Sequence, residues 1–202
     1  EIIEITKDVN IFDKNMVEEA LETYGKTPAS KADFIAHRMK KVITENMEKD
    51  EAYYKKFSDL IEQTINDFHE GRLGGKEYLE KINKVREDFE KGYQEGIPLL
   101  VKDKPEARAI FGAISQVITN NHGKEKSTSI SEKLAIAGID ITQIIERLTI
   151  RDWKKNLDIQ NKMENEIEDY LMEHRKDLGV DINFNEIDAI LVKCLKVAKN
   201  NY

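Results

Sequence analysis

Residues 28–47, PASKADFIAHRMKKVITENM, decide the fold class. Their apolar side chains, Ala32, Ile35, Ala36, Met39, Val42, Ile43 and Met47, recur at intervals of three and four. That spacing puts them on one stripe of an α-helix, whereas a strand would scatter them over both faces. Pro28 and Ser30, with Asp33 three residues after the serine, supply a helix start, because short polar side chains satisfy N–H groups that have no partner one turn back. The same period continues outward. From about Asp50 the stripe is Tyr53, Tyr54, Phe57, Leu60, Ile61, Ile65 and Phe68, ending near Gly71. Gly74-Gly75 make a turn, and Tyr78, Leu79, Ile82, Val85 and Phe89 mark a third helix. So short a connection between two long helices predicts an antiparallel hairpin.

The stretch 92–104 interrupts the pattern with Gly92, Gly96 and Pro98 and reads as a loop. It leaves two organisations open, one domain over 1–202 or lobes at 13–91 and 104–202 joined by loop 92–104. Pro105 suits the first turn of a helix, where its missing N–H costs nothing, and Ala107, Ile110, Phe111, Ile114, Val117 and Ile118 follow it. Residues 120–129 hold no apolar residue before Ile130 and read as an exposed loop. A helix over 131–148 carries Leu134, Ala137, Ile141, Ile144 and Ile145, with Gly138 inside it as a weak point of about 1 kcal/mol. Ile159, Met163, Ile167, Tyr170 and Leu171 mark the next helix. The last opens on Asn183 and Glu186, a reciprocal capping pair, and buries Ile187, Ile190, Leu191, Cys194, Leu195 and Ala198. The Ile-rich start, Glu1 to Thr6, reads as a short strand or extended arm with no second strand to pair with. The expectation is an all-α multi-helix bundle of seven or eight helices with that arm.

Composition narrows the function. The chain has 202 residues, 40% of them apolar and 35% charged, with 32 basic against 39 acidic side chains. A net charge of −7 argues against a generally basic nucleic-acid-binding protein, leaving only a local patch. A single cysteine, Cys194, excludes an intrachain disulfide framework, and its apolar helical setting reads as packing. No apolar run reaches the roughly 18 residues of a membrane span, and no secretory leader is visible; a cytoplasmic protein is expected. Glu1 stands where Met would, so the chain reads as part of a longer protein.

Catalytic signatures are absent. None of His37, His69, His122 or His174 has a carboxylate three residues before it, as a helical metal-binding pair requires. Asp33 and His37 are four apart and read as an incidental surface contact. Gly75-Lys76 is followed by Glu77 where a P-loop needs a hydroxyl, and Glu70 stands where its first glycine belongs. Asp152-Trp153-Lys154 spells part of a metal-dependent nuclease site but lies between helices, without a strand. No metal or cofactor is expected here.

One segment stands out. Residues 150–162 hold Arg151, Lys154, Lys155 and Lys162 against Asp152 and Asp158, the only tryptophan, Trp153, and the amides Asn156, Gln160 and Asn161. Residues 163–188 are the reverse, with nine acids against two bases, Arg175 and Lys176, which accounts for the whole net charge. Trp153, Asn156, Gln160 and Asn161 are candidates for a partner interface, since Trp buries large area at low entropic cost. The plainer alternative is a solvated face whose tryptophan anchors the loop to the core. Arg151, Lys154, Lys155 and Lys162 are candidates for DNA phosphate contacts, although the neighbouring acids repel phosphate. His37, Arg38, Lys40 and Lys41 read as the solvent face of their helix.

These residues also carry a family resemblance. The run from Arg151-Asp152-Trp153 through Asn156, Asp158-Ile159-Gln160-Asn161 and Met163 to Ile167-Glu168-Asp169-Tyr170-Leu171 resembles a segment near the end of the restriction (R) subunit of type I restriction–modification enzymes. Two further stretches match the same region in order: Ile35-Ala36-His37 through Tyr53-Tyr54-Lys55-Lys56-Phe57-Ser58, and Tyr78-Leu79-Glu80-Lys81 with Val85-Arg86. Glu168 replaces one family aspartate, and the loops at 92–97 and 120–129 depart from the pattern. The resemblance implies a C-terminal helical domain without an active site of its own, following a PD-(D/E)xK nuclease domain and two RecA-like lobes that use ATP and magnesium. Its implied partners are the modification and specificity subunits, with duplex DNA as a further candidate and no membrane.

Overall fold

The computed structural model describes residues 14–92 and 96–202, and over them the chain is all-α. The extended arm expected at Glu1 to Thr6 lies outside the described residues. Ten α-helices are present among the described residues: α1 (Lys14–Tyr24), α2 (Pro28–Asn46), α3 (Glu51–His69), α4 (Gly75–Glu90), α5 (Leu99–Lys102), α6 (Pro105–His122), α7 (Lys124–Ser129), α8 (Ser131–Leu148), α9 (Leu157–His174) and α10 (Phe184–Asn201). Seven match the periodic stretches; α1, α5 and α7 are additional. The capping pair of α2 lies three residues earlier than the Ser30–Asp33 pair the sequence suggested. Thr27 and Ser30 bond each other's backbone N–H through their hydroxyls, so Thr27 is the cap and Ser30 its reciprocal partner.

The chain forms two compact units. Among the described residues, the first comprises 14–45 and 55–92, the second 46–54 and 96–202. In the first, α2 buries Ala32, Ile35, Ala36, Met39 and Ile43. Phe57 of α3 meets Phe89 of α4 edge-on at 5.1 Å, and Phe68 stacks on Tyr78 at 4.6 Å. Tyr78 is fully buried, and its hydroxyl donates to Asp33 at 2.9 Å. Asp33 is therefore engaged with Tyr78, and burial together with that carboxylate pushes the Tyr78 phenol well above its ordinary value.

The second unit is built on α6. Every residue from Ala107 to Ile114 is buried, Arg108 included, and a helix buried on all sides belongs at the centre of a bundle. α8 and α10 pack along it, and α9 packs on both. Gly138 is the reason α8 lies so close: a Cβ there would stand 2.9 Å from the Ala107 carbonyl oxygen and 3.1 Å from the Phe111 nitrogen. What looked like a weak point is thus the crossing point of two helices.

Two expected loops contain helix. Within 92–104, residues 99–102 make one turn that buries Val101. Within 120–129, α6 runs on to His122, Gly123 turns the chain at φ 85°, and α7 follows. α7 needs no apolar stripe. Lys and Glu are good helix formers, the Thr128 hydroxyl bonds the Lys124 carbonyl, and Ser127 is buried with its hydroxyl facing the Ser115 carbonyl. No helix of the described residues is long and apolar enough to cross a membrane.

Candidate functional site

The unusual segment 150–162 joins α8 to α9 within the second unit. Its path is fixed by local bonds. Asp152 takes a left-handed backbone at φ 59°, a conformation that aspartate tolerates better than most residues. A single 3-10 turn, Trp153–Lys155, follows. Asn156 then caps α9, its side-chain oxygen accepting the N–H groups of Asp158 at 3.0 Å and Ile159 at 3.3 Å. The Gln160 side chain donates to the Lys154 carbonyl at 2.9 Å, tying the turn to the helix that follows.

The amide side chains thus build the elbow rather than decorate it. Trp153 is only 3% exposed and belongs to the core of the second unit, so it supports the surface from beneath instead of offering its ring to a partner. The apolar bulk of the ring drives this burial even though its Nε1–H finds no acceptor. Asn161 lies exposed on α9, and no hydrogen bond links it to the other three.

The bases divide into two pairs. Arg151 lies 3.7 Å from the Asp152 carboxylate, and Lys162 lies 3.9 Å from Glu166, which also holds Arg147. Lys154 and Lys155 have no carboxylate partner among the described residues; the Lys154 ammonium stands 6.0 Å from the Trp153 ring centroid. Around them lie Ile150, 58% exposed, and Leu157, 71% exposed. Arg151, Asp152, Lys155, Asn156, Leu157 and Asp158 line a shallow depression of about 420 Å³. The elbow offers two ammonium groups beside exposed aliphatic carbon on a rigid backbone, a combination suited to binding.

No family model matches the chain, and no curated protein or solved structure does. The reading of the elbow therefore rests on its own chemistry.

Elsewhere several polar groups have structural duties. Among the described residues, no three His, Cys, Asp or Glu side chains are grouped as a metal site requires. Cys194 is fully buried, and burial pushes its thiol up to about 12. Lys40 and Lys41 lie on α2, within 3.4 Å of Glu62 and 3.9 Å of Glu45.

Two clusters of ionisable side chains, one buried and one part-buried, join residues that the sequence did not bring together. Asp50 caps α3 by accepting the Tyr53 N–H, and its other oxygen accepts the Arg108 Nε–H at 2.9 Å. The guanidinium lies 3.8 Å from the Tyr53 ring centroid. Burial pushes the Asp50 carboxyl up, Arg108 pulls it back, and burial lifts the Tyr53 phenol to about 12. At the far end of α6, His122 Nε2 meets Glu186 at 2.6 Å, while the other oxygen of Glu186 accepts the Asn183 N–H. The cap of α10 is read correctly from Asn183 and Glu186; the histidine that completes it lies 64 residues away.

Proposed function

We propose that this chain is a non-catalytic helical assembly domain of a type I restriction enzyme's R subunit. It docks the ATP-dependent DNA translocase and nuclease onto the methyltransferase made of modification and specificity subunits, in the cytoplasm. The observation that carries this reading is the elbow at 150–158. Its backbone is held by Asn156 and Gln160 from above and by Trp153 from below, and it presents Leu157, Ile150, Lys154 and Lys155 outward. Pre-organised exposed groups bind without first losing conformational entropy. The resemblance to R subunits runs through the same residues. ATP and magnesium belong, on this reading, to the motor and nuclease parts and not to these helices.

Size-exclusion chromatography of the chain with a cognate modification–specificity complex tests the proposal. Co-elution is expected, weakened at least tenfold by L157D or by K154E/K155E, because one buried unpaired charge in an interface costs more than about 1.4 kcal/mol. No co-elution, when the full R subunit binds normally, overturns docking by this domain.

The second reading is a contact to duplex DNA during translocation. It draws on Lys154 and Lys155, which lack carboxylate partners. Four phosphate contacts would give a log–log salt slope of roughly −3 to −4, whereas these two alone give about −2. Negligible binding at low salt removes this reading.

A further inference from the structure

The second unit carries a groove of about 470 Å³ with an apolar lining. Ala109, Gly112 and Ala113 of α6 form its floor; α10 and residues 48–52 form its walls. On α10, Ala189, Val192, Lys193 and Lys196 face it at spacings of three and four, the arrangement that receives one side chain of an adjacent helix. Val192 is 69% exposed there, although a valine gains from burial.

The charges around Val192 indicate what fills the groove. Asp188 lies four residues before it and Lys196 four residues after. Asp188 has no basic partner among the described residues. Lys196 reaches Glu51 at 3.7 Å, an exposed pair that is worth little and is readily exchanged. An antiparallel copy of α10 centred on Val192 sets Asp188 of each chain opposite Lys196 of the other. The charge order is self-complementary about a two-fold axis, as an isologous contact requires.

We infer that this groove is the seat of a second copy of the chain, joined through antiparallel α10 helices with Val192 at the axis. α10 of each chain then rests on the α6 floor of the other. One helix pair is a small interface, so the dimer is weak and forms at micromolar concentrations or above. The groove shares no residue with the elbow at 150–158, so either assignment can fail without the other.

Sedimentation equilibrium of the whole chain over a wide concentration range is the test. A monomer–dimer equilibrium is expected. D188K and K196D each weaken it by at least about tenfold, and D188K/K196D together restore it. Because Val192 is exposed, V192C leaves the core untouched, and under mild oxidation it gives a disulfide-linked dimer. A monomer at every concentration, a dimer indifferent to both charge reversals, or a V192C chain that stays uncrosslinked overturns the inference.

Discussion

Asp50 and Arg108 illustrate what a single buried charge demands. Their side chains are 5% and 10% exposed, and each is the other's main partner. Removing one strands the other, and R108L is expected to cost about 3 kcal/mol at neutral pH. The pH dependence follows from the raised carboxyl of Asp50. The folded chain holds that proton more tightly than the unfolded chain, so protonation favours folding as pH falls, and the benefit is lost as pH rises through the raised value. R108L removes the group that opposes the rise. Its deficit should therefore narrow toward acid pH, which urea titrations of both proteins at neutral and acid pH would show. Trp153 makes a contrasting case. Its ring fills the core, but its Nε1–H is bonded to nothing. W153A should cost about 3–5 kcal/mol. W153F keeps one aromatic ring but discards the unpaired donor together with part of the indole's volume, and should cost less than W153A in the same measurement.

Among the helices, packing decides where local propensity is silent or misleading. Alanine favours a helix over glycine by about 1 kcal/mol, yet a Cβ at Gly138 meets backbone atoms of α6 that cannot move aside. G138A should lower the melting temperature, with overpacking of about 1–3 kcal/mol outweighing the propensity gain. N156A removes the cap of α9 and should cost about 1 kcal/mol by denaturant unfolding. These cases also show what was legible. Stripes such as Ile35–Met39–Ile43 announce their helices because burial imposes the period. The Asn183–Glu186 box announces itself because both partners lie within one turn. α7 carries no such mark, since hydroxyl-to-carbonyl bonds hold it. The basic and amide character of 150–162 was legible too, and so was the plainer reading of Trp153, which anchors its own loop to the core. What was not legible is that Asn156 and Gln160, candidates for a partner surface, also hold the elbow through side-chain hydrogen bonds.

For the molecule as a whole, the division into units depends on contacts that no local pattern encodes. Residues 46–54 belong with the second unit. They are held there by Arg108 and by the last helix, whose Asn200 and Asn201 side chains donate to the carbonyls of Glu48 at 3.0 Å and Lys49 at 2.8 Å. The partners are 152 residues apart, beyond the reach of any periodicity argument. N200A/N201A should leave the helical content unchanged and speed hydrogen–deuterium exchange selectively in 46–54, as local opening becomes easier. Uniform acceleration across the chain would instead mean that the two amides stabilise the fold globally.

The solitary indole gives the protein a built-in optical gauge. Shielded from solvent in the native state, it should fluoresce at the blue end of its range and shift red when the packing around it loosens. Since it lies just under the elbow, a ligand that settles on that surface need not be labelled to be noticed, and light emitted by one side chain can follow both unfolding and capture.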